Sequence, residues 1–285
     1  MVGLINLTDM RIPRYEGQTA SVTSNAMPPA RHEPLPADPS LYPDLASAGS
    51  LAGALEAVVA ELGLSLGKVL VDGSDPLRSA GVESMVADRE GCWISLGSAE
   101  RWFIFSGWSM GVQLVSGATQ DLGEMAQALE AWRNGLRLEE IREVSRFVKV
   151  TELAEAHERG PAEAVAVKWR LLLDGLRLES DRLELAHRML KVAELAHAAP
   201  QLRQLFPFTS HWSLHFTTCT GFPYSWDIPF IDPLIDGRYR VCGPARGSVI
   251  GKADTAEHAI ALVVSGLPAN CGPAVAGTAA DQQLS

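Results

Sequence analysis

The segment from residue 207 to residue 251 concentrates side chains that can move protons or attack a carbonyl carbon. If residues 210–218 form one β-strand, successive side chains point to opposite faces. One face then carries apolar side chains, namely Trp212, Leu214 and Phe216. The other face carries polar or reactive ones, namely His211, Ser213, His215, Thr217 and Cys219. Imidazoles beside hydroxyl and thiol groups are what acid–base or nucleophilic catalysis uses.

We assign four residues to catalysis on this basis: His211, His215, Asp227 and Cys219. Cys219 or Ser213 would be the nucleophile, with a histidine as its base. Asp227 or Asp232 would orient that histidine. Two observations limit the hypothesis: a buried cysteine is more often a small core residue, and the chain has no Gly-x-Ser-x-Gly motif of the hydrolases.

Four neighbouring residues are predicted to bind substrate: Ser213, Tyr224, Trp226 and Arg238. Arg238 and Arg240 would lie on one side of a strand and, with Arg246 and Lys252, form a basic cluster for a carboxylate or phosphate. Each of these residues could instead have a purely structural role. The polar face would be the solvated side of an antiparallel strand, the aromatic rings would pack in a core, and the arginines would protect an edge strand.

Neither a metal nor a cofactor is expected. His211 and His215 would stand about 13 Å apart along a strand that rises about 3.3 Å per residue, which is too far to share one ion. The sequence has no His-Glu-x-x-His motif and no glycine-rich phosphate loop before a helix.

Composition excludes several classes of protein. The chain of 285 residues has 34 acidic against 24 basic residues, a net charge of −10, which disfavours nucleic acid and anionic membranes as partners. Its four cysteines lie far apart, so neither a disulfide framework nor a zinc site is expected. We find no apolar run long enough for a membrane span and no signal peptide, and therefore expect a cytoplasmic protein.

The pattern of apolar residues and turns predicts an α+β fold. Apolar residues recur at helical spacing after Ser50 and over 121–133. Between these helices, five strand-like runs separated by glycine-containing turns predict an antiparallel meander: 68–71, 82–87, 92–97, 101–106 and 112–115. A second meander is predicted near the C-terminus, with a tight turn at Asp236-Gly237. A last helix would begin at Asp254, with Glu257 completing a capping box.

We therefore expect two antiparallel-sheet domains of helix–meander–helix type joined by a helical bridge. The expected segments are a disordered leader at 1–46, an N-terminal α+β domain at 47–135, a helical bridge at 136–206, a C-terminal β-meander plus helix at 207–273, and a flexible tail at 274–285.

Several motifs in the second half resemble a known family. They are Leu-Arg-Gln-Leu-Phe-Pro-Phe-Thr-Ser-His at 202–211, Cys-Thr-Gly at 219–221, Pro-Tyr-Ser-Trp-Asp at 223–227, Asp-Gly-Arg-Tyr-Arg-Val at 236–241, Ala-Asp-Thr-Ala at 253–256 and Gly-Pro-Ala at 272–274. With them the chain resembles an actinobacterial domain-of-unknown-function family whose members are labelled natural product biosynthesis proteins. The resemblance is specific over about 165–278 and looser over 48–160. It implies a cytoplasmic role in a secondary-metabolite pathway and supplies no catalytic residues.

Our first hypothesis is a cofactor-independent tailoring enzyme of natural product biosynthesis, of cyclase, hydrolase or lyase type. It would use acid–base or nucleophilic chemistry on a peptide or polyketide-type intermediate. The alternative is a non-catalytic binding module that holds a biosynthetic precursor or a partner enzyme, and a third hypothesis is a self-resistance protein that sequesters the product. The expected partner is a small-molecule or peptide intermediate, and a homodimer is left open.

Overall fold

The computed structural model describes residues 38–73, 77–244 and 248–282. The described residues form helices and two antiparallel sheets, so the predicted α+β class is confirmed. The helices are α1 (Pro43–Ala48), α2 (Leu51–Leu62), α3 (Leu122–Arg133), α4 (Leu138–Val144), α5 (Glu152–Arg159), α6 (Pro161–Ser180), α7 (Glu184–Ala198), α8 (Pro200–Arg203), α9 (Ala256–Ser265) and α10 (Ala279–Gln282). The strands are β1 (Val69–Val71), β2 (Ser79–Val82), β3 (Cys92–Leu96), β4 (Phe103–Ser109), β5 (Val112–Thr119), β6 (Val148–Lys149), β7 (Phe206–Ser210), β8 (Ser213–Thr217), β9 (Phe230–Pro233), β10 (Tyr239–Cys242) and β11 (Val249–Ala253).

The first sheet has the order β1-β2-β3-β4-β5-β6, with α2 and α3 packed against it. Five of these strands form the meander that we predicted, whereas β6 was not predicted and lies in the segment expected to be a helical bridge. Capping side chains set the helix starts. The side chain of Ser50 accepts a hydrogen bond from the Gly53 amide, and that of Asp121 accepts from the amides of residues 123 and 124. The helix after Ser50 ends at Gly63, whose φ of 67° is left-handed.

The second strand of the first sheet also differs from the prediction. The run 82–87 is not a strand, because β2 ends at Val82. The chain then bends away: the Val86 amide donates to Ser84 Oγ, and the Met85 amide donates to the Arg133 carbonyl at the end of α3. These two amides bond to a turn and to a helix end, so they do not pair with a neighbouring strand.

Helices α5 to α7 connect the two sheets. Helix α5 contacts both β5 and α6, while α6 and α7 pack on the second sheet. The hydrophobic core of the first half extends from Tyr42 to Ala154, and that of the second half from Ala164 to Ala274. The division between the cores therefore falls inside the expected bridge.

The second sheet has the order β11-β10-β9-β8-β7, again a meander. Its β9–β10 connection contains the predicted turn at residues 236–237, closed by a hydrogen bond from the Leu234 amide to the Arg238 carbonyl. Helix α9 begins at Ala256, two residues after the predicted start at Asp254, because Thr255 caps it by accepting from the His258 amide.

Both ends of the described chain depart from expectation. Residues 1–37 of the expected leader lie outside the described residues, but 38–46 are ordered and bury Tyr42 and Leu45 in the first core. The expected flexible tail is attached as far as residue 282. The Val275 amide donates to the Thr218 carbonyl, and the Gln282 side chain hydrogen-bonds Thr218.

Candidate functional site

The hairpin of β7 and β8 corrects the prediction of a single strand over 210–218. Strand β7 ends at Ser210, and β8 starts at Ser213. His211 and Trp212 form the two-residue turn, with φ of 49° and 65°. Two consecutive left-handed residues are typical of the hairpin turn that matches strand twist. His211 is therefore exposed at a turn, not aligned on a strand face.

The alternation predicted for residues 213–217 is confirmed. Leu214 and Phe216 are buried against the helices in the second core. Ser213, His215 and Thr217 lie on the other side of β8, and His215 is paired across the hairpin with Phe208. We call this second side the outer face of the C-terminal sheet.

His215 is enclosed by aromatic rings on the outer face. Its imidazole stacks on Phe208 at 4.9 Å and on Phe230 at 4.3 Å between ring centroids, and Trp226 meets it edge-on at 5.2 Å. Burial lowers the pKa of His215 to about 4, although the negative charge of Asp232 opposes that shift. The imidazole is therefore neutral at pH 7.

Further aromatic side chains extend this cluster towards solvent. Tyr224 packs on Phe208 at 4.6 Å, and Phe222 meets Tyr224 edge-on at 5.6 Å. Trp226 is 56% exposed and Phe222 is 52% exposed. We define the aromatic cluster as these rings together: Phe208, His215, Phe222, Tyr224, Trp226 and Phe230.

A polar network lies beside the cluster on the same face. Ser213 Oγ donates to Asp232 Oδ1, and Arg240 donates to Asp232 Oδ2 from Nε at 3.1 Å and from Nη2 at 2.8 Å. We call Ser213, Asp232 and Arg240 the polar network. From the sequence we predicted Asp232 only as an alternative to Asp227, and Arg240 only as a neighbour of Arg238. The signal that could have found them is their direct pairing across the β9–β10 hairpin.

Arg238, the predicted substrate-binding arginine, is engaged elsewhere. It lies in the β9–β10 turn, where its guanidinium pairs with Asp236 at 2.6 Å and both side chains are exposed. We expected both Arg238 and Arg240 on one side of the strand, but only Arg240 pairs with Asp232 on the outer face. The predicted basic cluster is only partly described, because Arg246 lies outside the described residues.

Cys219 is fully buried in the loop after β8. Its sulfur lies 3.2 Å from Thr217 Oγ1 and accepts a hydrogen bond from the Ser225 amide at 3.4 Å. Without solvent access, this thiol has no path to a substrate. Its position fits the structural alternative for a buried cysteine.

Asp227 is exposed and lies near Cys271, whose pKa is raised by burial and by the negative charge of Asp227. Within the described parts of the chain, no hydrogen bond, ion pair or ring contact joins His211, Asp227 or Cys219 to His215. The structure thus brings together Ser213, His215, Tyr224 and Trp226 from the predicted set, and it does not bring the four predicted catalytic residues together.

The polar network should stabilise the sheet. Asp232→Asn removes the charge that accepts from Ser213 and Arg240, so we expect the free energy of unfolding to fall by about 1–2 kcal/mol. The control is Asp236→Asn, which alters a similar Asp–Arg pair between exposed side chains and should have no measurable effect. Urea unfolding of both variants checks this. Equal midpoints for the two would contradict a stabilising role for Asp232.

Residues 163–278 match the model of a family of unknown function (DUF6193). This span contains strands β7 to β11, the aromatic cluster and the polar network. No curated protein and no solved structure matches the chain.

In residues 38–73, 77–244 and 248–282, no group of three or more His, Cys, Asp or Glu side chains is arranged to hold a metal ion. None of the helices in the described part of the chain combines the length and hydropathy needed to cross a membrane.

Proposed function

We propose that this protein is a binding module that holds a small molecule or peptide on the outer face of its C-terminal sheet. The observation that carries the proposal is the exposed indole of Trp226, set against the buried His215 stack and beside the polar network. Large exposed rings next to hydrogen-bonding groups are typical of recognition surfaces.

The chemistry of the face favours binding over catalysis. With a pKa lowered to about 4, His215 is a weak base at pH 7, whereas a general base works best with a pKa near the working pH. Its ring is held between Phe208 and Phe230, which suits a supporting role. Cys219 is enclosed and cannot reach a bound molecule.

The arrangement favours a ligand with a flat apolar group and an oxygen acceptor. The apolar group would lie against Trp226 and Phe222, since aromatic rings bury a large area at low entropic cost. The acceptor would reach the guanidinium of Arg240, which is 44% exposed although it pairs with Asp232. The resemblance described above suggests that this ligand is a peptide or polyketide-type intermediate of natural product biosynthesis.

Indole is the simplest probe of this proposal. In ligand-observed NMR, the protein should bind indole, and Trp226→Ala should weaken binding by about tenfold, because one well-placed ring contributes about 1.4 kcal/mol. Trp93→Ala is the matched control, since Trp93 is 42% exposed on the first sheet. Equal binding by Trp226→Ala and the unaltered protein would contradict the proposal.

A tailoring enzyme is the second candidate, favoured by one observation: Ser213 Oγ donates to Asp232 on the face that carries His215. Deletion of the gene followed by mass measurement would reveal an accumulating intermediate. If the protein is such an enzyme, the deletion strain supplied with a Ser213→Ala gene should still accumulate the intermediate. Full clearance by that gene would exclude Ser213 as the reacting group.

A further inference from the structure

We propose a second ligand site, for a small carboxylate, in a cavity formed by the first sheet, α5 and the C-terminal segment. The cavity has a volume of about 330 Å³, at the lower end of the range for ligand pockets. Its lining includes Arg89, Val112, Leu114, His157, Glu158 and Gly277. It includes no residue of the aromatic cluster or the polar network, so this inference is independent of the proposed function.

Arg89 is the residue that indicates a ligand. Its side chain is only 9% exposed, and its guanidinium lies 4.7 Å over the ring of Trp132. Nη2 lies 3.3 Å from Glu158 Oε1, but Nη1 is buried with no hydrogen-bond partner among the described residues. Buried polar groups nearly always have a partner, and an unsatisfied charged donor is costly. An oxygen in the cavity would supply the missing acceptor.

Glu158 does not provide an acceptor for every N–H group of Arg89. Its two carboxylate oxygens also accept from the Leu138 amide, at 3.0 and 3.3 Å. Its carboxylate is therefore shared between the start of α4 and one nitrogen of Arg89. Nη1 of Arg89 remains for a ligand.

The local charges favour an anion. Arg89 lines the cavity and Lys168 acts on its lining residue His157; both are basic, whereas the acidic Glu158 pairs with Arg89. Burial, and next the charge of Lys168, lower the pKa of His157 to about 4, so this ring is neutral at pH 7. Asp88 also lines the cavity but is exposed, where solvent screens its charge. One carboxylate would balance the buried positive charge, whereas Arg89 would repel a cation.

The remaining lining residues fit a ligand with a short apolar part. Val112 and Leu114 of β5 and Pro161 at the start of α6 are apolar, and Ser109 and Thr220 provide hydroxyl groups. The geometry thus fits a compact acid whose carboxylate meets Arg89 and whose remaining atoms lie against β5.

Benzoate is the test ligand, and benzamide is its uncharged equivalent in shape. Calorimetry at pH 7 should detect benzoate binding to the full chain, with benzamide about tenfold weaker. Arg89→Met replaces the guanidinium with an uncharged apolar group and should weaken benzoate binding about tenfold or more, the loss expected for one charge-assisted hydrogen bond. Val112→Phe, which retains Arg89 but fills the cavity, should also weaken it.

The control is Arg101→Met. Arg101 also pairs with a carboxylate, that of Asp44, and lies 4.8 Å over Phe103, but it does not line this cavity. Benzoate binding should be unchanged in this variant. Two results would overturn the site: no binding of benzoate by the unaltered protein up to about 10 mM, weaker than any specific charged contact should give, or equal binding by Arg89→Met. If Arg89→Met does not fold, undiminished binding by Val112→Phe overturns it instead.

Discussion

Gly221→Ala should destabilise the protein by about 3 kcal/mol or more, because an added methyl group has no space. A Cβ atom at this position would lie 1.8 Å from the Met110 carbonyl oxygen and 2.8 Å from the Gly277 carbonyl oxygen. Both neighbours are backbone atoms, which cannot move aside as the end of a flexible side chain can. The substitution would therefore separate segments that the fold holds together.

A second close backbone contact joins the same two segments, this time between Gly111 and Phe222. Gly111, in the β4–β5 turn, has a φ of 72°, and its added Cβ would lie 1.8 Å from the Phe222 carbonyl oxygen. The Phe222 amide also donates to the Gly111 carbonyl. The turn of the first sheet is thus packed backbone to backbone against the loop that carries Phe222, Tyr224 and Trp226. Gly111→Ala should be as damaging as Gly221→Ala.

Denaturant unfolding of control variants can distinguish the cost of the steric clash from the cost of placing alanine at a backbone conformation that favours glycine. Gly272→Ala is the control for Gly221, since nothing lies within 4 Å of its added Cβ. Gly49→Ala is the control for Gly111, because Gly49 has a φ of 80° and equally open surroundings, so only about 1 kcal/mol is expected there. If either test variant unfolded at the same denaturant concentration as its control, the close approach of these segments would be wrong.

Acid should weaken the fold through His215 and His157. The pKa of each falls from 6.5 to about 4 on folding, chiefly because of burial. Between these values the unfolded chain binds more protons than the folded protein, so the free energy of unfolding declines as the pH falls from 7 towards 4. A shift of this size corresponds to about 3 kcal/mol for a fully buried group. We expect at least about 1 kcal/mol from each histidine, since solvent screens the partly exposed His157.

His215→Phe isolates one of these contributions. A phenyl ring can stack between Phe208 and Phe230 but cannot be protonated, so the loss of stability between pH 7 and pH 4.5 should be smaller by about 1 kcal/mol. His258→Phe, at an exposed position of α9, should leave the slope unchanged. Urea titrations at both pH values measure the effect. A slope in His215→Phe equal to that of the unaltered protein would refute a buried, neutral His215.

Local signals in the sequence predicted much of the fold. Ser50 and Asp121 cap helices as their residue types suggest, and Asp236-Gly237 forms a turn between strands. The hairpin turn at His211-Trp212 was missed because such turns usually carry asparagine, aspartate or glycine. Period-two alternation still placed Ser213 and His215 on one face, because that rule applies within β8 regardless of where the strand begins.

The composition of the site was harder to predict. The rings of Phe222, Tyr224 and Trp226 come from a loop whose path depends on a contact with Gly111, more than 100 residues earlier in the chain. The choice of Arg240 over Arg238 depends on where the β9–β10 turn ends. Arg89 and its cavity carry no local motif, since they arise only when the first sheet, α5 and the C-terminal segment pack together.

We propose that the outer face of the C-terminal sheet is a binding surface. Amide chemical shifts recorded during an indole titration would show where the ligand binds. We expect the largest changes at Ser213, His215, Trp226, Phe230 and Asp232, with little change on the first sheet. Changes confined to the first sheet, or no saturable change at any amide, would contradict the claim.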